Sequence, residues 1–178
     1  CRVYVNGKEA ARHTGGYLPF SVDITSCGVA SAEWELVLAV RDLSDTSCHA
    51  RGKQKLKRGG VFYTAQSGIW QPVWLEVVPA CRVQALALRP DAATGMLNLT
   101  VGIHGAGRLL HVDVAAADGT LVARETVRVE AEGIAPEVQL PIPGLRLWSP
   151  DDPYLYEVTL RYGHDVVHSY AAFRTVEV

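Results

Sequence analysis

The acids of this chain that could handle a proton together are Glu33 with Glu35, Asp42 with Asp45, and Asp151 with Asp152. Two carboxyl groups held on either side of a bond can serve as general acid and general base. Glu33 and Glu35 lie two apart on a strand, so they face the same side; a solvated strand face has the same pattern. Asp42 and Asp45 flank Ser44 at a strand end, where Asx turns are common, and Asp151-Asp152 runs into Pro153 as a turn. No pair is expected to catalyse, and no catalytic residue is assigned. Arg51, Lys53, Lys55, Lys57 and Arg58 make a basic loop. It lacks the interleaved aromatics of a single-stranded nucleic-acid site. Trp34, Trp70, Trp74 and Trp148 could stack against rings, but such residues more often anchor cores and domain interfaces. The six histidines show no H-x-H or H-E-x-x-H spacing, and no cysteine sits in a C-x-x-C pair. No metal and no cofactor is expected. No phosphate-cradling glycine loop opens a helix, because no helix is evident.

The elements that must position these residues are strands. Helical periodicity is close to absent, and turn residues punctuate short apolar runs throughout. Val3-Tyr4-Val5 leads into Asn6-Gly7, a strong hairpin signal. Phe20, Val22 and Ile24 alternate with polar residues, and Trp34 to Val40 reads as a core strand. A turn at Gly68 feeds Ile69-Trp70 and Val73-Trp74-Leu75, bulky residues suited to a mostly buried strand. Pro79 marks a seam. Beyond it, Val83–Leu88, Leu97–Ile103, Leu110–Val114, Val127–Val129, Val138–Ile142, Tyr156–Tyr162 and Val166–Phe173 give about seven strands, the number of an immunoglobulin-like sandwich. The first half supplies roughly five, where a jelly roll needs about eight.

Composition sets the remaining bounds. Hydrophobic residues make up 48% and charged residues 20%, an ordinary globular balance. A net charge of −2 argues against a general nucleic-acid binder. No apolar run approaches the roughly 18 residues of a membrane span, so no membrane partner is expected. Cys1, Cys27, Cys48 and Cys81 read as separate reduced thiols, which suits a cytoplasmic location, with one disulfide left open. The opening Cys1-Arg2-Val3-Tyr4-Val5 already reads as a strand and is expected to be an internal start rather than a natural one.

Gln66-Ser67-Gly68-Ile69-Trp70-Gln71-Pro72-Val73-Trp74-Leu75-Glu76 resembles the SGIW-x-x-VWLE signature of glycoside hydrolase family 2, the β-galactosidase, β-glucuronidase and β-mannosidase group. Val5-Asn6-Gly7-Lys8, the run Gly15 to Thr25, Arg51-Gly52-Lys53-Gln54, Leu147-Trp148-Ser149-Pro150, Pro153-Tyr154-Leu155-Tyr156 and Phe173-Arg174 resemble further motifs of that family, in its order. The resemblance implies an all-β chain: the back part of a jelly-roll, sugar-binding-like domain over 1–79, then an immunoglobulin-like β-sandwich over 80–178. The family's two catalytic glutamates lie on a (β/α)₈ barrel that no stretch here matches. The implied role is a non-catalytic portion of an O-glycosyl hydrolase, inactive alone, whose partners are that barrel and, through it, carbohydrate. Arg51, Lys53 and Gln54, in the RGKQ-like motif, are implied to reach toward a sugar or the barrel's rim, where charged and amide groups can hydrogen-bond ring hydroxyls. Arg174 is implied to fix the junction to the barrel. Phe62 stands where lactose-splitting β-galactosidases carry an aspartate that contacts galactose and sodium, which argues against that site. The alternatives are a stand-alone carbohydrate-binding module, which would bind free sugar, and a structural adhesion-type sandwich, which would continue into more sandwiches. With its sheet edges unpaired, the first half is expected to self-associate into a homo-oligomer or aggregate.

Overall fold

A computed structural model describes residues 1–28, 33–135 and 137–176, and the elements are strands apart from one 3₁₀ turn, Thr25–Cys27. The chain divides into two compact units, Cys1–Trp74 and Leu75–Val178. The division falls a few residues before the Pro79 seam.

In the first unit, β1 (Arg2–Val5) pairs antiparallel with β2 (Lys8–Arg12) and, on its other side, with β3 (Leu36–Ala39). Asn6 and Gly7 carry the β1–β2 turn with φ of 50° and 78°. That left-handed pair matches the twist of the flanking strands, and Asn and Gly adopt it at least cost. Val3 and Val5 are buried beneath this small sheet. The short strands β4 (Gln54–Lys55) and β5 (Tyr63–Thr64) pair in parallel.

Three expectations for this unit are corrected. Within the run from Trp34 to Val40 only Leu36–Ala39 is a strand; it lies at the edge of its sheet among the described residues, with Leu36, Val37 and Val40 exposed, and is not a core strand. No strand forms over Phe20 to Ile24 or over Ile69 to Val78. Trp70 and Trp74 are 67% and 70% exposed and Val77 is 97% exposed, so the signature segment is not buried. The physical reason is common to all three. Bulky and β-branched residues fit a pleated, half-covered surface but do not supply the covering strand.

The second unit follows its sequence pattern closely. One sheet has β7 (Met96–His104) at its centre. The strand β6 (Arg82–Asp91) lies on one side of it, and β10 (Gly133–Ile134) and β11 (Val138–Pro141) follow one another on the other. The second sheet runs β13 (Asp165–Ala171), β12 (Tyr156–Tyr162), β8 (Arg108–Ala115), β9 (Leu121–Val129), all antiparallel. Alternate residues of β7, β8 and β12 point inward: Leu97, Leu99 and Val101; Leu110, Val112 and Val114; Val158, Leu160 and Tyr162. Two sheets presenting one apolar face each close over a common core. Asp118-Gly119 turns β8 into β9 with Gly119 at φ 83°, and the Asp118 carboxylate accepts from Thr120 N at 2.9 Å.

Partly buried polar groups tie the sheets together. The Tyr162 hydroxyl donates to Gly105 O at 2.7 Å, and Val83 N donates across the sandwich to Asp165 Oδ2 at 2.8 Å. That second bond lies at the β6 bulge, where the register with β7 shifts. At the corner before β12, Trp148 N donates to Phe173 O at 2.8 Å, and the Arg174 guanidinium lies 5.1 Å from the Trp148 ring. Trp148 is thus tied at this corner by its backbone N–H and by the guanidinium against its ring. Arg146 forks onto Asp152 at 2.7 and 2.8 Å and stacks on Tyr154, which accounts for one acid of the Asp151-Asp152 pair.

On the outer face of the second sheet, Asp113 accepts from Arg124 at 2.6 and 3.0 Å and from Arg161 at 2.7 Å. The Arg124 hydrogen bond is the largest influence; it outweighs the opposing cost of burial and, helped by the lesser bond from Arg161, holds the carboxyl below the ordinary value of 3.8. A lowered folded-state pKa adds stability that is fully present above the unfolded value and is lost as pH falls through the folded one. Asp113→Asn is therefore expected to cost the sandwich about 1 kcal/mol at neutral pH, a figure limited by the exposure of both guanidinium groups. In urea melts the gap between parent and variant should close as pH drops below about 4. A gap that widens toward acid would contradict this.

Candidate functional site

The basic loop is held at its base by backbone. Tyr63 N donates to Lys53 O at 2.7 Å, which sets β4 beside β5. The Arg51 guanidinium turns back onto Ser47 O. Lys55 Nζ lies 4.0 Å from the centre of the Phe62 ring, a cation–π contact, and Arg58 reaches Thr64 Oγ1 at 3.3 Å. The side chains of Arg51 and Lys53 are exposed and Gln54 is half-buried. One short loop therefore carries all three sugar-contacting candidates. Arg51 is already engaged by its own loop. Phe62 is occupied in packing on Lys55.

Of the paired acids, Asp42 and Asp152 each hold a turn. Glu33 and Glu35 are exposed, and Glu35 N is bound by the Asn6 side-chain oxygen at 3.0 Å. Asp42 forms the Asx turn expected of it, accepting from Ser44 N at 2.7 Å. It also accepts from Ser67 Oγ at 2.6 Å, a link the sequence did not indicate. Ser44 is buried with φ at 47°, so the turn is tight around this carboxylate. The Ser67 hydrogen bond, followed by that of Ser44 N, holds Asp42 below the ordinary carboxylate value. The chemistry is that of a clasp: one ionised acceptor fastens the 42–44 turn to the Ser67-Gly68 turn. Only the D-x-S spacing at Asp42 and Ser44 was visible in advance, because a partner 25 positions away leaves no local pattern.

Two ring pairs lie at the surface of the first unit. Trp70 Nε1 donates to Gly16 O at 2.7 Å, and its ring meets Tyr17 edge-on at 6.4 Å. His13 stacks on Phe20 at 4.3 Å. Of the expected core or domain-interface anchors, Trp34, Trp70 and Trp74 are exposed and so do not anchor a core within this chain. Among the described residues, no group of three or more His, Cys, Asp or Glu could hold a metal ion. All four cysteines are free. No helix among the described residues is long and apolar enough to cross a membrane.

Fold and loops together define an all-β chain of the sandwich class, with exposed aromatic and basic side chains on the first unit. The family model for glycosyl hydrolases family 2 matches residues 81–174, more than half of the sequence, and the chain belongs to that family. It is 26% identical to a β-galactosidase of Thermoanaerobacter pseudethanolicus over 99% of this chain and 24% of the relative. It is 28% identical to a β-glucuronidase of Chlorocebus aethiops over 89% of this chain and 27% of the relative. The chain thus spans about a quarter of the length of these curated relatives. Among solved structures, a Ruminococcus gnavus β-glucuronidase superposes with a TM-score of 0.74 at 24% identity, over 99% of this chain and 31% of that one. A family 2 member from Bacteroides cellulosilyticus gives 0.73 at 19%, over 99% and 25%. These last two likenesses concern the fold.

Proposed function

We propose that this chain is the non-catalytic β-sandwich portion of a glycosidase that hydrolyses O-glycosyl bonds. In this reading it buttresses a catalytic barrel elsewhere in the same polypeptide, and the first unit's loops shape the substrate cleft. The observation that supports it most is the match to about a quarter of a β-galactosidase and of a β-glucuronidase, together with family membership. The engagement of Asp42 and Asp152 in local structure agrees with it. Retaining glycoside hydrolysis needs two carboxyl groups about 5–5.5 Å apart. Asp42 and Asp152 are instead spent on holding turns. Arg51, Lys53 and Gln54 are the residues through which the cleft would be reached.

The purified chain is expected to show no turnover of aryl β-galactosides or β-glucuronides above a blank. Sustained turnover that co-purifies with the chain would defeat the reading. In the full-length enzyme, Lys53→Ala with Gln54→Ala should raise KM for the glycoside several-fold with kcat little changed, since binding contacts away from the bond act on ground and transition states alike. An unchanged KM would remove these two residues from the cleft. The exposed Tyr17–Trp70 pair favours a second reading, a carbohydrate-binding module, because aromatic faces stack on sugar rings. A flat calorimetric titration with millimolar galactoside and glucuronide would discard it.

A further inference from the structure

We propose that the outer face of β12 and β13 carries a saccharide-binding groove that takes an uncharged pyranose ring. The groove is open and has a volume of about 790 Å³, within the range of small-ligand sites. Its floor is β12, where Glu157 and Thr159 point outward between the buried Tyr156, Val158 and Leu160. β12 is bonded to β13 on one side and to β8 on the other, so the floor is an interior strand and not a sheet edge. All the lining residues fall between Ala117 and Tyr170, inside the span 81–174 that the family model matches. In register, Tyr170 lies opposite Glu157 and His168 opposite Thr159, which makes one wall. The Pro153-Tyr154-Leu155 corner borders the groove and is fixed where Ala117 N donates to the Tyr154 hydroxyl at 3.2 Å.

The side chains there have the chemistry of a sugar site. Tyr170 is 66% exposed, and among the described residues its side chain makes no ring contact or hydrogen bond. Such a ring offers an apolar face to the C–H face of a pyranose. Glu157 is exposed, and among the described residues its carboxylate has no hydrogen bond or ion pair. Arg124 and Arg161 are both bound to Asp113, and Arg146 is bound to Asp152, so these cations are engaged elsewhere. The Glu157 carboxylate is left to accept charge-assisted bonds, which adjacent ring hydroxyls can donate in pairs. His168 Nδ1 lies 3.3 Å from Thr159 Oγ1, which leaves Nε2 for a further hydroxyl. The same carboxylate sets the selectivity. A uronate would place like charge against it, so the neutral ring is preferred. None of these groups belongs to the unit that carries Arg51, Lys53 and Gln54.

The test is an NMR titration of the whole chain, followed at its backbone amides, with methyl β-galactoside and with methyl β-glucuronide into the millimolar range. The galactoside should shift the amides of Glu157, Thr159, His168 and Tyr170, and the glucuronide should bind there about tenfold more weakly. Tyr170→Ala should weaken galactoside binding about tenfold. Glu157→Gln should weaken it too and should also erase the preference over the glucuronide, an effect that a purely structural role would not produce. Both positions are exposed, and the rest of the spectrum should report an unchanged fold. Unmoved amides in the groove, an equal response of the parent to both sugars, or tighter binding of an amine such as ethanolamine would each overturn the proposal. Shifts confined to Tyr17 and Trp70 would belong to the carbohydrate-module reading and would overturn it as well. Hydroxyl-radical footprinting of the full-length enzyme should label Tyr170. Protection of that ring would mean that another part of the polypeptide fills the groove, and the proposal would fall.

Discussion

Phe173→Ala is expected to unfold the unit Leu75–Val178 at temperatures where the parent is fully native. Phe173 is completely buried and meets Tyr156 edge-on at 5.6 Å. Its own carbonyl accepts from Trp148 N, so the ring and the backbone of one residue lock β13 to the corner that launches β12. Emptying such a site costs about 3–5 kcal/mol through lost transfer and a cavity that cannot fully collapse. A domain of this size has only about 5–15 kcal/mol in hand. A melt followed by near-ultraviolet dichroism should show the midpoint falling by more than 10 °C, on the order expected for such a loss in about 100 residues. A loss under about 1 kcal/mol would mean that the corner is not tied into the core.

Phe173 also illustrates what could be read from the residues alone. In the second unit each core strand carries its own evidence. Leu97, Leu99, Val101 and Ile103 alternate with Asn98, Thr100 and Gly102, and the first set is buried. The period of two dictates which face turns inward, and turn signals such as Asp118-Gly119 fix the ends. The first unit was legible at its turns and not in its burial. Asn6-Gly7 makes its hairpin and Asp42 its Asx turn, because both depend on a few adjacent residues. Burial depends on what lies opposite. Ile69, Trp70, Val73 and Trp74 advertise a buried strand, but nothing in their own sequence states whether a covering surface is there. The same limit hid the bond from Ser67 to Asp42 and the one from Arg51 to Ser47 O. Side chains with several polar neighbours choose among them in three dimensions.

The contrast between the units leads to the second large effect, a denaturation curve in two steps. Every member of the hydrophobic core cluster belongs to Leu75–Val178. In Cys1–Trp74, among the described residues, the buried apolar side chains are Val3 and Val5. Burying a valine contributes about 1.5–3 kcal/mol, while ordering each residue's backbone costs about 1–2 kcal/mol. The first unit therefore has little to set against its ordering cost. Its amides should exchange with solvent roughly a thousandfold faster than those of β7, β8 and β12. In urea it should melt first, with the second unit following in a separate cooperative step. A single transition, with uniform amide protection across both units, would show that the apolar groups of the first unit find cover within the monomer.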